Sequence, residues 1–282
     1  MILVTSATGT VGSEIVKLLK AQGLAVTAAS RNPGKAGTDL GVPAVAWHWD
    51  QPRSFGEALG GVHTLFLGTP PGTTDELAWG LAAVEAAKAA GVRKIVKLSA
   101  IGVEDMPDSA HRKIELAIEA GGFEWFFARP SFFMQNLNEG MAHGIKAEGV
   151  IALPAGDGRT GLIDARDIAA VLVEAIKGSG LNGQGLTLTG SQALGYVDVA
   201  AELTRALAKP VRYDDIAPAA YTAALEQAGV PKHYAEFLTM LYHQVVRNGF
   251  AATVTDNVKK ITGKDPITLA QYAKDYAGAF KG

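Results

Sequence analysis

The 282-residue sequence contains no cysteine. Disulfide frameworks, thiolate nucleophiles and zinc–thiolate sites are thereby excluded. Long apolar runs are missing as well. Lys, Glu or Gly interrupts each helical stretch before the roughly 20 apolar residues that a bilayer span needs. The start, Met1-Ile2-Leu3-Val4, lacks the basic region and longer apolar core of a secretory signal, so a cytoplasmic protein with no membrane partner is expected. Charge is sparse, at 19% of residues, with a formal balance of -2. No basic excess is present to hold a phosphate backbone, so nucleic acid is not an expected partner. No His/Asp/Glu spacing suggests a metal. Core material is plentiful, with 48% hydrophobic residues, and small organic partners fit this composition better than polymers.

Short apolar runs alternate with helical patterns through the first half. Residues 2–5 read as a strand and 13–22 as a helix closed by Gly23. Strands are expected over 24–30, 42–47 and 62–67, with a brief helix near 54–59. An alanine-rich helix over 76–90, a strand over 94–99, a helix over 110–120 and a strand over 124–128 follow. This rhythm predicts βαβ units and an α/β fold, a Rossmann-type parallel sheet with helices on both faces. Past Pro130 the rhythm changes. Residues 133–146 read as helix, 149–154 as strand, 167–176 as amphipathic helix and 185–189 as a further strand. Helical patterns over 197–207, 219–227, 234–248 and 269–280 complete the chain. The expected organisation is a dinucleotide-binding domain of residues 1–130 with return segments near 162–190. Residues 131–160 and 191–282 then form a smaller, mostly helical substrate cap.

Thr5-Ser6-Ala7-Thr8-Gly9-Thr10-Val11-Gly12 separates the first strand from the first helix. A pyrophosphate needs backbone N–H groups at a helix N-terminus, which Gly9 leaves approachable, and Gly12 lets the helix pack near the sheet. Thr8 and Thr10 add hydroxyl donors. A carboxylate after the second strand would hold the ribose diol of NAD. The sequence there is Ser30-Arg31-Asn32-Pro33, with no carboxylate before Asp39. Arg31 reads as a 2′-phosphate partner, which favours NADP(H) over NAD(H), or as a solvated loop arginine. Asp50, beside Trp49, follows the third strand and could flank an adenine; Trp49 fits a core ring equally. Thr69 and Ser99 follow the fourth and fifth strands, at the edge where such ligands bind.

These segments, with Arg129-Pro130-Ser131-Phe132-Phe133-Met134-Gln135-Asn136, Asp164-Ala165-Arg166-Asp167-Ile168-Ala169 and the run 258–266, resemble the NmrA-like branch of atypical short-chain dehydrogenases/reductases. The resemblance covers nearly the whole chain. It implies a Rossmann domain with a smaller carboxy-terminal substrate domain. It also implies NAD(P)H-dependent reduction of quinones, azo or triphenylmethane dyes or alkaloid imines, or else non-catalytic redox sensing. By that resemblance Ser6, Thr8, Gly9, Thr10, Val11 and Gly12 form the diphosphate loop and Arg31 takes the 2′-phosphate. Thr69, Ser99 and the Pro130–Phe132 backbone would line the nicotinamide. Two departures stand out. Ser6 replaces the family's usual glycine, and the Tyr-x-x-x-Lys pair of typical members is replaced by His111-Arg112-Lys113-Ile114-Glu115.

Hydride transfer needs chiefly a nicotinamide held near an electron-poor acceptor, and quinones, iminium ions or cationic dyes accept hydride without a strong acid. The expected function is an NAD(P)H-dependent oxidoreductase acting on a small aromatic or electrophilic substrate, with no flavin or metal. The alternative is an NADP(H)-sensing regulator that signals through a protein partner. Phe133 and Met134 are candidates for an aromatic pocket wall, or for core; Asn136 for orienting a substrate oxygen, or for capping a helix. Tyr242 either contacts substrate or closes a helix interface. His111 is the candidate for proton delivery, because histidine titrates near neutrality, with a helix-terminal hydrogen bond as its bland reading. A homodimer is the default oligomer, although no surface pattern demands one.

Overall fold

The computed structural model describes residues 1–70 and 72–281. Strand β1 (Ile2–Val4) leads through the glycine loop into α1 (Thr10–Ala21). α1 is helical because its apolar residues recur at helical spacing, burying Val11, Ile15, Val16 and Leu19 on one side. Gly23, at φ 71°, then reverses the chain into β2 (Val26–Ser30). There follow α2 (Pro33–Leu40), β3 (Ala44–Ala46), α3 (Arg53–Ala58), β4 (Thr64–Leu67) and α4 (Glu76–Ala89). β5 (Lys94–Leu98), α5 (Ala110–Ala120) and β6 (Glu124–Pro130) complete this run. Next come α6 (Asn136–Glu139), α7 (Ala142–Glu148), β7 (Val150–Leu153), β8 (Arg159–Thr160), α8 (Ala165–Lys177) and β9 (Gln184–Leu188). The remainder is β10 (Leu194–Gly195), α9 (Tyr196–Leu207), β11 (Arg212–Asp215), α10 (Pro218–Gln227), α11 (Lys232–Met240), α12 (Asn257–Thr262) and α13 (Leu269–Asp275).

Two compact units result, Met1–Pro130 with Ala165–Thr187, and Ser131–Asp164 with Leu188–Gly282. The first is built on a seven-stranded sheet in the order β3-β2-β1-β4-β5-β6-β9. Its strands β1 to β6 pair in parallel. Parallel strands need crossover connections, and these place helices on both faces. α1 and α8 pack together on one face. On the other, Leu3, Leu65, Leu67, Ile95 and Phe127 form a core with Phe55 of α3, Ala83, Val84 and Ala87 of α4, and Ile114 and Ile118 of α5. The second unit centres on its own cluster, in which Ile151, Leu153, Tyr196, Leu203, Tyr242 and Tyr272 are buried. It carries two small sheets, β11 parallel with β7 and β10 antiparallel with β8.

Several elements differ from expectation for local physical reasons. α2 occupies a stretch that its glycines made loop-like. Asn32 caps it, accepting from Lys35 N at 3.1 Å, Pro33 opens it, and left-handed Gly41 ends it. The expected helix over 133–146 is two short helices, because the backbone at its start pairs elsewhere: Phe133 bridges Ile163, and Met134 N donates to Ile163 O at 2.9 Å. The helix expected over 234–248 passes from α11 into a π-helix over Leu241–Val246. No helix among the described residues is long and apolar enough to cross a membrane.

Candidate functional site

The order of the sheet reverses between β1 and β4, so the loops after these strands lie at their carboxyl ends on the reversal point, where doubly wound sheets take ligands. The loop after β1 is stitched to the end of β4. Thr5 Oγ1 donates to Phe66 O at 3.0 Å and accepts from Gly68 N at 2.9 Å, while Ser6 Oγ donates to Gly68 O at 2.8 Å. Ser6 adopts a left-handed backbone, φ 49°, the conformation that explains why glycine would be natural there. Gly12 has no alternative: a Cβ at this position would stand 2.2 Å from the Ser6 carbonyl oxygen. Thr8 and Gly9 are exposed, and the N-terminus of α1 at Gly9 takes no side-chain cap. A 12-residue helix thus presents its positive end over a tight, accessible turn. That donor set fits a dinucleotide diphosphate.

Arg31 is exposed at the end of β2 and, among the described residues, pairs with no carboxylate. Its basic neighbour Lys35 is already engaged with Asp39 at 2.5 Å. Trp49 is a core ring, 5.4 Å from Trp47 and 5.6 Å from Phe55 between centroids, whereas the adjoining Asp50 is exposed.

Behind Thr69 and Ser99 lies a layer of charge. Ile95 belongs to the core under α4 and α5, and Lys97 and Ser99, two and four residues on in an extended chain, share its side of the sheet. Thr69 Oγ1 donates to Glu76 Oε1 of α4 at 2.6 Å. Ser99 Oγ donates to Glu115 Oε1 of α5 at 2.7 Å. Glu115 is fully buried and is also gripped by Arg129, whose Nε and Nη2 donate at 3.1 and 2.8 Å, and by Arg112 at 2.9 Å. Burial by itself raises the carboxyl's pKa, but the bonds from Arg129 and Ser99 outweigh it and hold Glu115 below the usual range. Lys97 is fully buried too; its Nζ donates to Leu98 O and lies against His111 Nδ1, each at 2.9 Å. His111 Nδ1 is 3.5 Å from Glu76 Oε1. Burial and the Lys97 cation together push the His111 pKa well down, so its imidazole is neutral at pH 7. Burial lowers the pKa of Lys97 to about 8.

Of the expected site residues in the first unit, the loop, Arg31, Asp50, Thr69, Ser99 and Pro130 all follow the carboxyl ends of strands or lie at them, and His111 opens α5. Lys97 and Glu76 are not site candidates by sequence, and Glu115 and Arg129 enter there only as members of longer runs, although a lysine inside the apolar run Lys94–Leu98 is a visible signal. In the second unit, Phe132 lies 5.5 Å from Tyr242, centroid to centroid. Met134 and Tyr242 are buried in the core, while Phe132, Phe133 and Asn136 retain exposed surface. Neither Gln135 nor Asn136 caps α6; Gln135 Nε2 instead donates to buried Asp164 at 3.0 Å.

The sequence profile of the NmrA-like family matches residues 1–273. Over 286 residues, 99% of each chain, the sequence is 38% identical to the NAD(P)H azoreductase of Xenophilus azovorans. It is 34% identical over 288 residues, again 99% of each, to the (4-alkanoyl-5-oxo-2,5-dihydrofuran-3-yl)methyl phosphate reductase of Streptomyces griseus. Among solved structures, the NADPH-dependent quinone oxidoreductase of Escherichia coli in complex with NADPH is similar, with a TM-score of 0.86 at 26% identity, covering 98% of this chain and 100% of that one.

Proposed function

The chain belongs to the NmrA-like family, and from that premise we propose that it is an NADPH-dependent reductase of electron-poor aromatic acceptors such as quinones, azo compounds, cationic dyes or imines. The observation that carries this reading is the Thr8–Gly12 turn, tight, accessible and set under an uncapped helix N-terminus. A nicotinamide bound there supplies hydride. The chain's own contribution is to bind and orient. Backbone N–H groups of the first turn of α1 and the hydroxyls of Thr8 and Thr10 would hold the diphosphate. Arg31, with no carboxylate paired to it among the described residues, would take a 2′-phosphate, which supports NADPH ahead of NADH.

The acceptor class follows from what α5 offers. Where a tyrosine would donate a proton, this helix has His111, held neutral, and where a lysine would follow, it has Glu115, buried under two arginines. A neutral imidazole is a weak acid, so acceptors that take hydride readily and need protonation late suit the site better than simple ketones. The partly buried rings of Phe132 and Phe133 suit flat aromatic substrates.

The test is tryptophan fluorescence titration with NADPH and NADP+, followed by NADPH oxidation at 340 nm against a panel of quinones, azo dyes, triphenylmethane dyes and cyclic imines. Acceptor-dependent oxidation is the expected result. Tight binding with no oxidation by any member of the panel sinks the reductase reading and leaves a sensor of the NADP(H) couple. An absence of binding sinks both.

A further inference from the structure

Lys97 is an unusual residue for its position. Its side chain stands on a central strand facing the apolar core under α4 and α5, where Ile95 and Phe127 also lie, and it is fully buried. Removing an ammonium from water costs several kcal/mol, about what only a close counter-charge and full hydrogen bonding recover. Lys97 has no such counter-charge. Among the described residues no carboxylate lies within ion-pair distance of its Nζ, and its partners are a carbonyl, Leu98 O, and the ring nitrogen His111 Nδ1. Glu76 of α4 and Glu115 of α5 attract it from further off, while Arg129 of β6 repels it.

The contact with His111 also sets a tautomer. An ammonium can only donate, so Nδ1 accepts and the imidazole proton resides on Nε2. Nε2 makes no hydrogen bond among the described residues, and the side chain of His111 is 28% exposed. One end of this imidazole therefore faces a buried proton store and the other is open to a substrate or to water.

We propose that Lys97 is the proton reservoir of the reductase site, acting through His111. This rests on the reductase reading. As the acceptor takes hydride, two electrons and one hydrogen, from reduced nicotinamide, its oxygen or nitrogen becomes basic. That atom takes the Nε2 proton of His111, and Lys97 simultaneously passes a proton to Nδ1. The products are a reduced, protonated acceptor, oxidised nicotinamide, a neutral Lys97 amine and an imidazole in its other tautomer. Water then returns a proton to Nε2 and Nδ1 returns its own to Lys97. His111 never becomes an imidazolium, in keeping with its burial beside a cation. Lys97 is a positioning and proton-supplying residue that touches neither substrate nor cofactor.

The experiment pairs a pH profile with an NMR titration of His111 in the cofactor-free protein. For the wild type, kcat at saturating NADPH should fall as pH rises through about 8, where Lys97 loses its proton. In Lys97→Met burial still lowers the His111 titration, but it should move part of the way up, since the neighbouring cation is gone. The same variant should lose the limb near pH 8, and kcat at neutral pH should drop by on the order of 100-fold, while the Kd for NADPH stays within about 2-fold. His111→Ala, at a partly exposed position, should abolish the same limb by cutting Lys97 off, and it serves if Lys97→Met does not fold. Wild-type turnover that is flat through pH 8, or a His111 titration unmoved in Lys97→Met, overturns the relay alone. Absence of wild-type turnover with any acceptor overturns it together with the reductase reading, even if the titration shows the Lys97–His111 contact.

Discussion

Ser6 holds a left-handed backbone that costs a non-glycine residue about 1 kcal/mol, and its hydroxyl bond to Gly68 O, 2.8 Å long, recovers a similar amount. The serine thus replaces conformational freedom with a stitch between two strand ends. Ser6→Gly should change stability by less than about 0.5 kcal/mol, because relief of strain and loss of the bond offset each other. Ser6→Ala keeps the strain and loses the bond, so it should cost about 1 kcal/mol, read as a lower urea midpoint at constant m-value. Equal effects of the two variants would show that the left-handed backbone carries no cost, and a Ser6→Ala change without effect would show that the bond contributes nothing. Arg31 is the other residue whose identity decides something local. Its guanidinium has no carboxylate partner among the described residues to lose, so Arg31→Ala should leave stability unaltered. A charge-assisted pair with phosphate is worth about 1.5–3 kcal/mol, so the Kd for NADPH should rise roughly 10- to 100-fold. The Kd for NADH should change by less than about 2-fold, since that cofactor has no 2′-phosphate. Both constants come from tryptophan quenching.

At the scale of elements, α5 is tied to the sheet by charge as well as by packing. Ile114 and Ile118 fill the core beneath it, and Gly80 of α4 allows close approach, since a Cβ there would stand 2.2 Å from Ile114 Cδ1. Glu115 adds the bonds to Ser99 and Arg129 that fix α5 against β5 and β6. Glu115→Ala leaves Arg129 without its main partner inside the fold and should destabilise by about 3–5 kcal/mol. The linkage has a definite sign. The Glu115 pKa is depressed below its ordinary 4.5. The stability it contributes is therefore complete above that value and is lost as pH falls through the lower, folded-state value. The wild-type urea midpoint should decline steeply below about pH 4.5, and in Glu115→Gln that decline should be shallower. Elements that the sequence displayed were those with a period of their own. α1, α4, α5 and the six strands up to Pro130 could be read from apolar spacing. α2 was hidden by Gly34 and Gly37, although Asn32-Pro33 before it and Gly41 after it are start and stop signals. Residues 133–135 could not be read, because their backbone serves Ile163 rather than a helix of their own.

For the whole molecule, the proposed cofactor should couple to stability by mass action. NADPH at 100 times its Kd should stabilise the native state by about 2.7 kcal/mol and raise the melting temperature by roughly 5–10 °C. An unchanged melting temperature at that concentration, measured by tryptophan fluorescence, would count against specific binding; all four tryptophans, at 47, 49, 79 and 125, lie in the unit that carries the glycine loop. By itself the sequence determined the alternation of strand and helix, the α/β class, the glycine loop between the first strand and first helix, and the lack of a carboxylate between Arg31 and Asp39. Each of these is encoded in a short stretch whose period, turn chemistry or missing carboxylate needs no distant partner. Only the tertiary structure decided the sheet order β3-β2-β1-β4-β5-β6-β9, which sets the loop after β1 at the reversal point. It alone joined Lys97 to His111 across 14 residues of sequence, and Glu115 to Arg129 across another 14. Such pairings depend on which strands become neighbours and which faces they turn to the helices. A charged residue's burial, and with it the state of its proton, is therefore a property of the assembled layers rather than of the residues beside it in the chain.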